Sequence, residues 1–379
     1  MSKRWPDKTV VGLTGNIATG KSVVRRMLEH LGAFGIDADG LAHRAMSPGA
    51  PAYQPTIEMF GRWILDADGK INRARLARIV FADPEALSAL EQIVHPIVRQ
   101  VIDLLIRRTK QPVVVIEAIK LIEAGLADDC DAVWVVDAPP EIQTQRLARN
   151  RGLSEAEAQL RIQAQSAPTE KFVRATVVID NSNGVQKTYD QVKRAFDRLM
   201  DIHEAAPEEA VVPEPAPGEV SIQRATLKQA GDLARFLSRE QERPVTQDEM
   251  LLRLGQKAYM LAYIDGQIAG LAGWQVENLI TRVDEFVIAQ GAPAGPIASR
   301  LVQTIEEASR DLQAEIALLF LHQDAPEKVR QAMFEAGYEV KSAAELKVPD
   351  WREAAEEAAP PNSIMVFKRL REDRVLRPI

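Results

Sequence analysis

Residues 10–22 read V-V-G-L-T-G-N-I-A-T-G-K-S, and this stretch decides the reading of the first half of the chain. Val10, Val11 and Leu13 make a short apolar strand, and a helical pattern follows over 23–31. Between them Gly15, Asn16, Ile17, Ala18, Thr19, Gly20, Lys21 and Ser22 spell G-x-x-x-x-G-K-S, with Val23 opening the helix. A glycine-punctuated loop between a strand and a helix start turns successive N–H groups inward, and the helix dipole adds partial positive charge. Lys21 then reaches the outer phosphates of a nucleoside triphosphate, and the Ser22 hydroxyl serves Mg²⁺. The motif points to a phosphate cradle and names no reaction.

Working outward, apolar runs at 33–36, 112–116, 132–136 and 177–179 alternate with helical segments. That is the pattern of a parallel sheet with helical crossovers. Helices are expected over 40–46, 56–65, 73–81 and 84–94, with a break at His95-Pro96 and a further helix over 97–108. Further helices are expected over 140–150, 154–165 and 185–200. Residues 201–219 carry six acidic residues and four prolines with no Lys or Arg. Such a segment repels itself and buries nothing, which predicts a semi-extended linker. Beyond it the order strand, two helices, Asp265-Gly266 hairpin, strand, long helix over 297–312, buried strand and helix predicts an α+β unit with a largely antiparallel sheet.

Composition bounds the rest. The 379 residues exceed one ordinary core and predict two domains. A net charge of −7 argues against general nucleic-acid binding. The single cysteine, Cys130, precludes an internal disulfide and suits a reducing compartment. No apolar run has the length of a membrane span and the first ten residues lack a signal-peptide core, so a cytoplasmic protein with no membrane partner is expected. Five scattered histidines offer no zinc cluster.

Further segments make the loop more specific. I-D-A-D (36–39), S-P-G-A-P-A-Y (47–53), D-G-K-I-N-R (68–73), L-A-R-I-V-F (76–81), L-E-Q-I-V-H-P (90–96), Q-T-Q-R-L (143–147) and V-I-D-N (178–181) follow it in order. Over residues 9–200 the chain thus resembles the dephospho-CoA kinases. The resemblance implies ATP and Mg²⁺ as cofactors and dephospho-CoA as the small-molecule acceptor, phosphorylated on its ribose 3′-hydroxyl. It makes Asp39 the group that orients or deprotonates the hydroxyl, Arg146 a lid arginine and Thr14 the family's threonine before the loop. Arg73, His95 and Asn181 fall at family positions as substrate-side candidates. The structural alternative for Asp39 is helix N-cap, which Asp37 or Asp39 supplies equally; for Arg146 it is a solvated surface arginine.

The chain departs from the family at four places. Asn16 and Ala18 stand where the loop usually has glycines. Ile119-Lys120-Leu121-Ile122-Glu123 replaces P-L-L-F-E. Asn150 stands in place of a second lid arginine, with Arg149 and Arg151 beside it as substitutes, and Ala175-Thr176 replaces A-D. The open alternatives are a kinase for another small hydroxyl acceptor, a non-catalytic ATP-binding regulator, and an acetyltransferase acting through the second half.

Residues 220–370 resemble the GNAT acyltransferases through the strand–helix–hairpin opening and A-M-F-E-A-G-Y-E (332–339). Where that family has R-G-x-G-I-G, Pro293-Ala294-Gly295-Pro296-Ile297-Ala298 stands, and Pro296 lacks a donor for a pyrophosphate. Met333 takes the place of a tyrosine acid, and Glu285 reads as an exposed strand residue or a base. The expected fold class is α/β: a P-loop kinase with a parallel sheet and helical substrate and lid insertions (1–200), the linker (201–219) and an α+β GNAT-like domain (220–379).

Overall fold

A computed structural model describes residues 4–151, 153–163, 165, 168–201, 218–241, 243–277 and 279–372. Most of the acidic stretch, 202–217, lies outside the described residues, as does the side chain of Arg151.

The first half contains β1 (Thr9–Thr14), α1 (Lys21–His30), β2 (Phe34–Asp37), α2 (Ala38–Ala45), α3 (Tyr53–Phe60), α4 (Arg73–Ala82) and α5 (Pro84–Arg108). It continues with β3 (Val113–Glu117), β4 (Ala132–Asp137), α6 (Pro140–Arg151), α7 (Glu155–Gln163), α8 (Pro168–Arg174), β5 (Val177–Asp180) and α9 (Val185–Asp201). The sheet is parallel throughout, in the order β2-β3-β1-β4-β5. β1 is central and buried along its length because apolar clusters cover both faces of the sheet. The loop after β1 therefore opens at the carboxyl edge of the strands, flanked by the ends of β3 and β4, where ligands bind in such sheets.

Two expectations fail here. The predicted break at His95-Pro96 is absent: α5 runs unbroken through Pro96. An internal proline costs about 3 kcal/mol. The apolar stripe from Val94 through Val98, Val101, Ile102 and Leu105 is buried on both sides of it, and each such side chain contributes about 1.5–3 kcal/mol. The helix expected over 56–65 ends at Phe60, because Gly61 adopts φ +85° and starts a short 3-10 turn at Arg62–Ile64.

The second half comprises β6 (Ser221–Arg224), α10 (Ala230–Glu240), α11 (Gln247–Leu254), β7 (Ala258–Ile264), β8 (Gln267–Glu277), β9 (Ile280–Ile288) and α12 (Ala294–Asp311). β10 (Ile316–His322), α13 (Glu327–Glu335), β11 (Glu339–Val340), α14 (Pro349–Ala358) and β12 (Ser363–Arg369) complete it. The sheet order is β11-β12-β10-β9-β8-β7-β6, antiparallel except for the β9–β10 pair. Asp265 and Gly266 both have positive φ, as a tight two-residue hairpin requires. The short strand β11 and the helix α14 were not anticipated.

The halves touch. Arg44 of α2 pairs with Glu315 at 3.2 Å and with Asp350 of α14 at 3.6 Å. His30 of α1 meets the Leu254 carbonyl at 3.0 Å, and the Arg26 guanidinium donates to the Gln256 carbonyl.

Candidate active site

The loop from Gly15 to Gly20 is shaped by its glycines. A side chain at Gly15 would strike the Val136 carbonyl, and one at Gly20 would strike the Asn181 amide. Ala18 sits at φ 58°, where a non-glycine residue is strained by about 1–2 kcal/mol. The Ile17 N–H donates to Gln165 Oε1 at 2.6 Å and Thr19 Oγ1 to the Asn16 carbonyl at 2.9 Å. Lys21 opens α1 and lies buried across the loop, with Nζ 3.0 Å from the Gly15 carbonyl and 3.1 Å from that of Asn16.

Arg146 of α6 closes over the same loop. Its guanidinium donates to the carbonyls of Ala18 (3.1 Å), Thr19 (3.0 Å) and Asn181 (2.7 Å). Burial lowers its pKa. Asn181 donates to the Thr19 carbonyl at 2.8 Å and accepts from Thr188 at 2.9 Å. Arg146 is thus half-buried against the loop rather than a freely solvated arginine. Arg149 is exposed on α6.

Facing the loop, the end of β2 carries the acidic groups. Asp37 is the N-cap of α2, accepting the Gly40 N–H at 2.8 Å. Asp39 lies inside the first helical turn, and its Oδ2 accepts the Ile119 N–H at 3.0 Å. The capping role falls to Asp37, which leaves Asp39 a different one. Burial raises the Asp39 pKa against the pull of the Ile119 hydrogen bond and Lys21. Burial and the neighbouring Glu117 carboxylate push Asp37 up to about 6.

Ile119 is the hub of this side. Its carbonyl accepts from Thr14 Oγ1 (3.1 Å) and from Lys171 Nζ (3.0 Å). Glu117, at the end of β3, accepts from Ser22 Oγ at 2.8 Å and from Arg25 Nε at 2.7 Å. Burial alone would lower the Arg25 pKa; Glu29 and Glu117 reverse that and raise it.

The structure therefore brings Thr14, the loop, Lys21, Ser22, Asp39, Arg146 and Asn181 together. Arg73 and His95 lie elsewhere: Arg73 opens α4 near His43, and His95 is on α5 near Glu91, Arg99 and Lys120. Glu117, Gln165 and Lys171 were missed. A charged residue directly after the apolar run V-V-V-I was a signal for Glu117, since it ends a buried parallel strand.

In the second half Glu285 is not an exposed strand residue. Burial would raise its pKa, but Lys257, Tyr259 and Arg253 hold it below the ordinary value. The Tyr259 hydroxyl is at 2.7 Å and Arg253 at 2.8 Å. Met333 is fully buried in the core.

The dephospho-CoA kinase family model matches residues 9–187. A dephospho-CoA kinase of Geobacter sulfurreducens is 45% identical over 193 residues, covering 50% of this chain and 96% of that one. The chain belongs to the dephospho-CoA kinase family. By that membership it is a kinase of the final step of coenzyme A biosynthesis, with ATP as the phosphate donor. A solved dephospho-CoA kinase from Campylobacter jejuni is 26% identical with a TM-score of 0.39, over 52% of this chain and all (100%) of that one. A GNAT-family acetyltransferase from Streptococcus pneumoniae is 17% identical with a TM-score of 0.31, over 40% of this chain and 99% of that one. Among the described residues no helix is long and apolar enough to cross a membrane.

Proposed function

We propose that Asp39, Lys21 and Arg146 carry the transfer of the ATP γ-phosphoryl group to the ribose 3′-hydroxyl of dephospho-CoA. The observation that carries this reading is the anchoring of Asp39 opposite Lys21 through Ile119, which also receives Thr14 at the root of the phosphate loop. The loop amides and Lys21 hold the β- and γ-phosphates. Asp39, its pKa raised, accepts the hydroxyl proton as the acceptor oxygen attacks the γ-phosphorus and the bond to the β–γ bridging oxygen breaks, releasing ADP. Arg146 balances charge on the moving phosphoryl group. Asn181 props Arg146 and the loop, while Arg149 and Arg151 are lid candidates, and Arg73 and His95 belong to the acceptor side.

Mg²⁺ fits the residues present. No three His, Cys, Asp or Glu residues are placed to cage a metal among those described, but Mg²⁺ uses one or two protein ligands together with substrate phosphates and water. Ser22 Oγ beside Glu117, with burial and Glu117 raising the Asp37 pKa in spite of Arg25, is an environment that a divalent cation would relieve. Ser22 and a neighbouring carboxylate would hold the ion, which would supply neutralisation of phosphate charge.

We further read the chain as two units, 1–200 and 220–379, joined by the acidic segment 201–219, in a cytoplasmic protein. The second unit is read as having no transferase chemistry, since Met333 is core and Glu285 is locked in ion pairs. The deciding experiment incubates the full chain with ATP, Mg²⁺ and dephospho-CoA and follows CoA by mass. Absence of the added phosphate refutes the reading.

A further inference from the structure

A cavity of about 410 Å³ opens between the two halves, one helical turn from Asp39. His43 connects the two places. It stands four residues after Asp39 on α2, hence on the same helix face. Asp39 on one side and Glu353 of α14 on the other both act electrostatically on its imidazole, as does Arg73.

The walls combine an apolar face with several polar and charged side chains, which suits a ligand that itself has apolar and polar parts. Leu76 and Val80 of α4 form the apolar side, with Ala77 between them facing the same space. Arg73 stands at the start of α4, and Glu353 forms part of the opposite wall together with Asp350. Asp350 is committed to Arg44, whereas Glu353 has only a loose pairing with Lys70 at 3.9 Å.

Dephospho-CoA is an adenosine joined through a diphosphate to a long pantetheine arm bearing two amides and a terminal thiol. With its 3′-hydroxyl at Asp39, the remainder needs a channel that starts beside Asp39, meets a cation, and then offers an apolar wall with an acceptor for amide N–H groups. The cavity lining holds all of these groups: His43, Arg73, the Leu76–Val80 face and Glu353. Arg73 suits the diphosphate because a guanidinium makes charge-assisted hydrogen bonds to phosphate oxygens.

We propose that the pantetheine arm of the acceptor lies in this cavity, so that the second half of the chain, through Glu353 on α14, forms part of the kinase's acceptor site. The inference rests on the kinase reading above. It gives the second half a role in the reaction without any chemistry of its own.

Two full-length variants test it. Ala77→Phe fills the cavity from the α4 side, and Glu353→Lys reverses the charge on the α14 side at a half-exposed position. Each is assayed with dephospho-CoA and with the methyl ester of adenosine 5′-diphosphate, which keeps adenosine and diphosphate but lacks the arm. The expected result is a KM for dephospho-CoA raised about five-fold or more, with the KM for ATP and turnover of the methyl ester within about twofold of the parent. Equal losses on both acceptors, or an unchanged KM for dephospho-CoA in both variants, overturn the proposal. An unchanged KM in Glu353→Lys alone overturns the share of the second half. A parent chain that does not phosphorylate dephospho-CoA overturns the kinase reading and this inference together, which separates the two failures.

Discussion

Asp39 Oδ2 accepts the Ile119 N–H at 3.0 Å, and the Ile119 carbonyl accepts from Thr14 and Lys171. One residue's backbone thus ties the acidic end of β2 to the foot of the phosphate loop and to α8. The sequence departs from the family over 119–123, yet what that segment supplies at Ile119 is peptide atoms. A changed side chain leaves them in place.

Replacing the base tests this arrangement directly. Asp39→Asn keeps the size and can still meet the Ile119 region, but it cannot take a proton. Turnover is expected to fall by about 10²–10⁴-fold with ATP affinity nearly unchanged. Because the proposed role needs Asp39 deprotonated and burial raises its pKa, parent activity should fall as pH drops through that raised pKa. The variant should lack this acid limb. A pH–rate profile of both proteins decides it, and an acid limb that persists in Asp39→Asn assigns the limb to another group.

Much of the kinase fold was legible because local signals agreed. Strands buried on both faces read as apolar runs, and the glycine spacing of 15–20 fixed the loop between β1 and α1. The failures have physical causes. At Pro96 the local helix-breaking signal lost to burial on either side. The identity of the N-cap depended on which of Asp37 and Asp39 reached the Gly40 N–H, a matter of two residues of register. Glu117, Gln165 and Lys171 reach the site from β3, the segment after α7, and α8, so only the folded chain brings them together. The contact between the halves had no sequence signal: nothing in the local pattern marks Arg44, Glu315 and Asp350 as partners.

The lid separates two arginines three residues apart. Arg146 makes three hydrogen bonds to carbonyls of the loop and Asn181, while Arg149 is exposed. Arg146→Ala should lower kcat by about 10²-fold or more, with a smaller loss in ATP affinity. Arg149→Ala should stay within about threefold of the parent. Steady-state kinetics with ATP varied at saturating dephospho-CoA give both numbers. Equal losses would mean that Arg149 swings onto the phosphates during turnover.

Asp37 illustrates a cost carried for function. Burial and Glu117 push its carboxyl up to about 6 in the folded chain, from an ordinary 3.8. Between those values the folded state holds the extra proton, so stability from this group falls as pH rises through the interval and stays low above it. Asp37→Asn retains a good N-cap for α2 and removes the charge beside Glu117. Stability at pH 7 should rise by up to about 3 kcal/mol, with little change near pH 4. The same variant should need more Mg²⁺ for turnover, since a carboxylate beside Glu117, the partner of Ser22, is gone. Denaturant titrations at both pH values and a Mg²⁺ titration of activity check the two halves of the prediction.

The pair Arg44–Glu315 predicts a dependence of the kinase on the second unit. Their side chains are 4% and 1% exposed, at 3.2 Å, with Asp350 and Trp351 adjoining. Removing one partner of a buried pair costs up to about 3–5 kcal/mol, a loss that Asp350, 3.6 Å from Arg44, offsets in part. Glu315→Ala should therefore destabilise the full chain by that order. Arg44→Met combined with Glu315→Leu should recover part of the loss, because both charges of the most buried pair are gone and only the less buried Asp350 loses its partner. Arg44 is also five residues beyond Asp39 on α2, so the loss of its partner slackens the helix that presents the base. Glu315→Ala is then expected to lower kcat although Glu315 is distant in sequence from every proposed reacting group, and the double variant should restore part of it. If Glu315→Ala unfolded only the second unit and left kcat at the parent value, the contact would be passive docking and α2 would be held by the first half alone.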